Sequence, residues 1–289
     1  MSVATQTKLR TEHIKPKIGS RILNSKEELL SGDLADEIRE EFEARGVIVI
    51  PGIHFTEDEQ ITFTKTLGQY ASENPDGSVS KITLDVKENP SAAEYLKGSL
   101  YWHIDGTRNE VPILASLLSC KVPSPKGTGN TGFSNTYAAY EALSDADKAK
   151  YDDMKVLHAP WASLFYYEPE PPLAKIKGMQ AIGEKVLPLV WEHKSGRKSL
   201  VLSTSGAYVE GMHPAESHDL LQRLMIHATQ EKYVYRHKWQ LGDLAIWDNT
   251  GAMHRAMPFE AGSKREFHRC TLNGEEPVTA PGEMAEAAA

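Results

Sequence analysis

The stretch "SLYWHIDGTRNEVP" (99–112) sets a histidine and an aspartate two residues apart, His103 and Asp105, where an apolar run passes into a loop. Positions i and i+2 of a strand face the same side, so the imidazole and the carboxylate would share a surface. The pair alone proves little. With 11 His and 40 acidic residues in 289, roughly one or two His-x-acid pairs arise by chance. It needs a third ligand and a reason for its surroundings.

Both come from "WDNTGAMHRAMPFEAGSKREFHRC" (247–270). His254 lies in a strand-like run, and Arg265 and Arg269 follow at offsets of 11 and 15. Two histidines and one carboxylate make the facial triad of non-haem Fe(II) oxygenases, in which three open positions take a bidentate co-substrate and O₂. A guanidinium can pair with a carboxylate through two parallel hydrogen bonds, which lysine could not reproduce.

These stretches resemble the taurine dioxygenase / aryloxyalkanoate dioxygenase family of Fe(II)- and 2-oxoglutarate-dependent oxygenases. The matching pieces are "WHIDGT" (102–107), "KGTGNTGFSNTYAAYEALS" (126–144), "SGRKSL" (195–200) and "WDNTGAMHRAMP" (247–258), with Arg265 and Arg269 closing the pattern. Their order and spacing hold from about residue 18 to 275. The resemblance implies His103, Asp105 and His254 as iron ligands and as the catalytic centre. It implies Thr131 and Arg265 as contacts to 2-oxoglutarate, and Arg269 beside the substrate's anionic group. An intact Asp105 favours hydroxylation over halogenation, which needs that ligand replaced by a small residue. "LGQYASENPDG" (67–77) lacks the histidine that helps hold the sulfonate in the taurine enzyme, which argues against taurine. The family often forms dimers or tetramers, so a homo-oligomer is expected.

Each residue also has a plainer reading. His103 and Asp105 could be a surface pair, Arg265 a solvated charge, Arg269 a structural one and Thr131 a turn residue. Tyr101, Trp102, Phe165, Tyr166 and Tyr167 flank the site or its cover. As cavity lining, Tyr101 and Trp102 would favour an apolar or aromatic substrate body; as core they need no comment. Trp247 reads as core packing. A zinc hydrolase could use the same three ligands but needs no carboxylate clamp. A desaturase or epimerase on the same scaffold would share every motif.

Composition bounds the rest. The formal net charge is −8, which argues against a nucleic-acid partner. No apolar run approaches the 18 residues a membrane span needs, and "MSVATQTKLR" is no secretory signal. Cys120 and Cys270 read as free thiols, and the expected location is cytoplasmic. The partner expected is a small molecule.

Along the chain, "SKEELLSGDLADEIREEFEARG" (25–46) predicts a helix, with Ser25 and Glu28 as a capping box and Gly46 as the stop. "VIVIPG" (47–52) predicts a buried strand, and Thr56 caps a second helix. Residues 134–154 read as helical with a break near Ser144. Strands are expected at 113–122, 185–192 and 199–204, and a Pro-initiated helix begins at 213. The end alternates strands at 232–239, 243–249, 252–257 and 267–273. Residues 70–98 and 159–183 read as long lid loops, and 1–18 and 280–289 as flexible ends. The pattern predicts one domain over 1–289, mainly β with flanking helices, built as a double-stranded β-helix (jelly roll).

Overall fold

The structure, a computed structural model, describes residues 8–82, 96–259 and 263–283. Its strands are β1 (Thr11–His13), β2 (Ser20–Ile22), β3 (Val47–Ile50), β4 (Tyr70–Ala71), β5 (Ser80–Ile82), β6 (Ala115–Val122), β7 (Thr131–Asn135) and β8 (Lys155–His158). They continue with β9 (Lys185–Pro188), β10 (Val190–Glu192), β11 (Lys198–Leu200), β12 (Gly206–Val209), β13 (Val234–His237), β14 (Leu244–Asp248), β15 (Ala252–Ala256) and β16 (Glu266–Leu272). The major sheet runs β1-β2-β3-β14-β6-β16-β4, with β5 also on β16, and a minor sheet runs β13-β7-β15. β12-β8-β9 form a third sheet and β10-β11 a hairpin. The chain is therefore mostly β with helices around it.

Side-chain alternation explains how the sheets pack. In the major sheet, Val47, Val49, Leu118, Cys120, Ala245, Trp247 and Phe267 face one way and join Phe133 of β7 in a buried cluster. Their neighbours Ile48, Ile50, Leu117, Leu244, Ile246, Cys270 and Leu272 face the other way. That second face packs against Leu29, Leu34, Ile38, Phe42, Phe63 and Leu67, from the N-terminal helical region. A sheet buried on both faces needs continuous apolar strands, which "VIVI" and "LAIW" supply. Both cysteines are buried free thiols.

Several local expectations hold. Ser25 and Glu28 form a capping box, as do Thr56 and Glu59. Gly46 ends its helix at φ +74°, a conformation that disfavours a side chain. Ser144 caps Asp145–Tyr151, where the helical stretch was expected to break.

Others are corrected. The first helical stretch is two helices, Lys26–Leu30 and Ala35–Arg45. Residues 159–183 are not irregular but carry helices Pro160–Tyr167 and Leu173–Ala181. The former has Pro at its first turn, where the missing N–H costs nothing. The latter has no buried residue, so no apolar stripe announces it. Segment 70–98 is not wholly loop: β4 and β5 pair with β16, while 83–95 lie outside the described residues. Within 1–18, β1 pairs with β2. Residues 1–7 and 284–289 lie outside the described residues. Among the described residues no helix is long and apolar enough to cross a membrane.

Candidate active site

A cavity of about 440 Å³ opens between the inward face of the major sheet and the minor sheet. Leu118 of β6, Trp247 of β14 and Arg269 of β16 line one side, and Thr131 of β7 with His254 and Ala256 of β15 line the other. The loop carrying His103 to Asn109 forms part of the rim, with Pro160, Ser163, Tyr167 and Met179 of the two helices corrected above.

Backbone pairing assembles the three proposed ligands. His103 N–H donates to the His254 carbonyl at 3.1 Å, and His254 N–H returns to the His103 carbonyl at 2.9 Å. This isolated antiparallel bridge extends the minor sheet by one residue on the free side of β15. The two rings lie 4.1 Å apart, centroid to centroid. Asp105 Oδ1 is 3.6 Å from His103 Nε2, and its Oδ2 is 3.6 Å from His254 Nε2. One ligand atom from each residue falls within 4.8 Å of the others, the spacing of donors around a single ion.

The surroundings fix the donor atom of His103. His103 Nδ1 lies 2.8 Å from the Tyr101 carbonyl. A carbonyl only accepts, so Nδ1 carries the hydrogen and the Nε2 lone pair faces Asp105. Burial pushes His254 down to about 3, with the neighbouring His103 adding to the effect, so its imidazole is neutral and able to ligate. Burial works to raise the Asp105 carboxyl, yet the charge of its neighbours, Arg269 being the permanent cation among them, holds it below its usual value. A neutral imidazole and an ionised carboxylate are the forms a metal takes.

Asn249, which the sequence reading passed over, holds Asp105 from behind. Asp105 N–H donates to its Oδ1 at 2.9 Å, and its Nδ2 donates to the Asp105 carbonyl at 2.7 Å and the Ile113 carbonyl at 3.2 Å. The residue stands in "WDNT", 144 positions from Asp105, and only the fold shows what the amide reaches.

The cavity also holds a buried cation. The Arg265 guanidinium is buried at 7% exposure between the rings of Phe259 and Phe267, 4.2 and 4.5 Å from their centroids. Its Nη1 has no hydrogen-bond partner among the described residues, and burial lowers the group to about 10. A buried cation with an idle donor is costly unless a ligand completes it. Gly129 makes room: at φ +65°, a Cβ there would sit 3.0 Å from Arg265 Nη1 and 2.5 Å from Ser124 Oγ. Thr131 Oγ1 accepts from Trp239 Nε1 at 2.9 Å, which leaves its own hydrogen to donate. Trp239 was another residue missed. Arg269 Nη1 reaches Asp105 Oδ2 at 3.4 Å, and its Nη2 pairs with Glu73.

Two expected substrate contacts lie outside the lining of this cavity. Trp102 does not line the cavity; it packs in the core built on Trp191, Leu200 and Met253, with Arg255 over its ring at 4.9 Å. On an extended segment it faces away from His103. Tyr101 does not line the cavity either: its hydroxyl donates to the Tyr166 carbonyl at 2.7 Å and its ring leans on Tyr166. Trp247, read as core, also lines the cavity, 4.7 Å from the His254 ring.

The family model described as "Taurine catabolism dioxygenase TauD, TfdA family" matches residues 10–271. The chain is similar to an alpha-ketoglutarate-dependent 2,4-dichlorophenoxyacetate dioxygenase of Burkholderia sp. (strain RASC), 28% identical over 92% of this chain and 95% of the relative. It is also similar to an (S)-phenoxypropionate/alpha-ketoglutarate-dioxygenase of Sphingobium herbicidovorans, 31% identical over 79% of this chain and 82% of the relative. Its fold is similar to that of AAD-2 solved with Mn(II) and N-oxalylglycine, with a TM-score of 0.79, 28% identity, and coverage of 94% of this chain and 100% of that one. With a model match spanning most of its length, and a His-Asp-His cluster beside an idle buried arginine, the chain belongs to the TauD/TfdA family of dioxygenases.

Proposed function

We propose that the chain is an Fe(II)- and 2-oxoglutarate-dependent dioxygenase that hydroxylates a small organic anion, with release of succinate and CO₂. His103 Nε2, Asp105 and His254 Nε2 hold the iron. The observation that carries this reading is the pairing of the three-ligand cluster with the unpartnered Arg265 guanidinium in one cavity. Bound iron with 2-oxoglutarate supplies the activation of O₂ and the oxidation of a substrate C–H bond. The chain's residues bind, orient and shield.

Arg265 and the Thr131 hydroxyl receive the distal carboxylate of 2-oxoglutarate. Desolvation makes that charge pair stronger than it would be in water. Asn249 keeps Asp105 in place, and the Tyr101 carbonyl keeps His103 in one tautomer. The two facing sheets are read as a double-stranded β-helix, and residues 1–289 as one dioxygenase domain. A metal-dependent hydrolase would have no use for a buried carboxylate clamp.

Arg269 receives the substrate's anionic group. Among the described residues, four cationic side chains line the cavity, Lys81, Arg108, Arg265 and Arg269, against two carboxylates, Glu73 and Asp105. That excess favours anions. Similarity to enzymes named for 2,4-dichlorophenoxyacetate and (S)-phenoxypropionate supports an aryloxy- or other hydrophobic carboxylate. If the hydroxylated carbon carries an ether oxygen, the product collapses and the bond is cleaved. The test is a panel of carboxylates, sulfonates and neutral analogues, scored by succinate formed from 2-oxoglutarate with Fe(II), ascorbate and air. Anions should accelerate succinate formation; acceleration by neutral compounds only would remove the substrate class.

A further inference from the structure

We propose that Glu73 is a specificity-determining residue: its carboxylate occupies Arg269 in the substrate-free enzyme, and a substrate anion enters by exchange with it. The inference rests on the reading of Arg269 as the receptor for the substrate's anionic group. Glu73 and Arg269 both line the cavity that holds His103, Asp105 and His254.

The geometry favours exchange over a permanent structural pair. Glu73 satisfies only Nη2 of Arg269. The Nη1 contact to Asp105 is long, at 3.4 Å, and Nε is buried without a partner among the described residues. A guanidinium presents donors in a planar fork, and a carboxylate that engages two of them binds more strongly than one that engages a single donor. An incoming carboxylate can therefore satisfy a donor that Glu73 leaves idle. The departing Glu73 loses little, because its side chain is 45% exposed and water takes over its hydrogen bonds. Arg269, at 21% exposure, gains more from a well-fitted partner.

The segment that carries Glu73 does not depend on the ion pair. Ser72 Oγ donates to the carbonyls of Asn74 and Ser78, and Asn74 Nδ2 donates to the Val79 carbonyl at 2.8 Å. Tyr70 Oη donates to the Gly77 and Ser78 carbonyls, each at 3.1 Å, and Ser78 N–H donates to Asp76 Oδ1 at 2.9 Å. β4 and β5 anchor the two ends to β16. Glu73 is thus held at the cavity by its loop and can release Arg269 without unravelling it. The consequence is selectivity. A neutral molecule cannot replace the charge that Glu73 supplies, whereas an anion can.

The test is calorimetric titration of phenoxyacetate, as a probe carboxylate, into protein loaded with Mn(II) and N-oxalylglycine. Glu73→Gln and Glu73→Ala should bind it about two- to fivefold tighter than wild type, the range set by a partly exposed ion pair. Arg269→Gln should bind it weakly, and Glu73→Gln added to Arg269→Gln should change nothing further. Equal or weaker binding by the Glu73 variants would overturn the proposal. So would no binding by Glu73→Gln, whose guanidinium is free, or the same tightening without Arg269. Wild type that fails to take up Mn(II) and N-oxalylglycine would count against the dioxygenase reading instead. The phenoxyacetate titration is then judged by the same criteria on metal-free protein.

Discussion

Replacing Arg265 with methionine should move stability and ligand affinity in opposite directions. The guanidinium is buried between Phe259 and Phe267 and leaves Nη1 idle among the described residues. Exchanging buried charge for an apolar chain of similar volume is neutral or stabilising by about 1–4 kcal/mol. Loss of the two ring contacts offsets part of that, about 0.5–2 kcal/mol. Ligand-free Arg265→Met should therefore melt at or a few degrees above the wild-type temperature, since about 1 kcal/mol corresponds to about 2–4 °C in chains of this size. For 2-oxoglutarate the same change removes one member of a buried charge pair, worth about 2–5 kcal/mol, or about thirtyfold to several thousandfold in Kd. Scanning calorimetry without ligand and anaerobic 2-oxoglutarate titration of the Fe(II) protein measure the two effects. A variant that melts well below wild type would show that Arg265 is a structural residue. One that binds 2-oxoglutarate normally would show that the clamp lies elsewhere.

Other consequences concern the supports of the site. Asn249→Ala strands the Asp105 N–H and two carbonyls, at about 1–3 kcal/mol each where no water enters, and should weaken Fe(II) binding about ten- to a hundredfold; both are read by melting and metal titration. Gly129→Ala forces a left-handed residue against Ser124 and Arg265, so it should lower the melting temperature and weaken 2-oxoglutarate together; an effect on melting alone would uncouple the glycine from the clamp. His158 is held at about 4 by burial, below its unfolded value near 6.5. The unfolded chain therefore takes up a proton first as pH falls, and stability should drop between about pH 6.5 and 4, by on the order of 3 kcal/mol from this group. His158→Asn should flatten that part of the stability profile, and an unchanged slope would assign it to other groups.

The site was legible where chemistry and strand parity coincide. His103 and Asp105 share a face, and Arg265, Phe267 and Arg269 follow one another on the inward side of β16 and its approach. Parity also explains the failure at Trp102, which adjoins His103 and so turns into the opposite core. The helices over 160–181 were hidden for different reasons. "PWASLFYY" has only eight residues, too few for a helical period to stand out, and Leu173–Ala181 buries nothing, so no apolar stripe marks it. β4 and β5, of two and three residues, are too short for any alternation to register. Asn249 and Trp239 act through backbone and hydroxyl partners more than a hundred residues away, a relation no local pattern carries.

In the proposed site one iron ion and one 2-oxoglutarate share this cavity, held by His103, Asp105, His254 and Arg265. Anaerobic titration of Fe(II) and then 2-oxoglutarate into wild type, His103→Ala and Arg265→Met separates the two ligands. Wild type should bind one Fe(II) per chain, His103→Ala should lose iron, and Arg265→Met should keep iron and lose 2-oxoglutarate. Wild type that binds no iron, or iron binding that is indifferent to His103, would rule this site out.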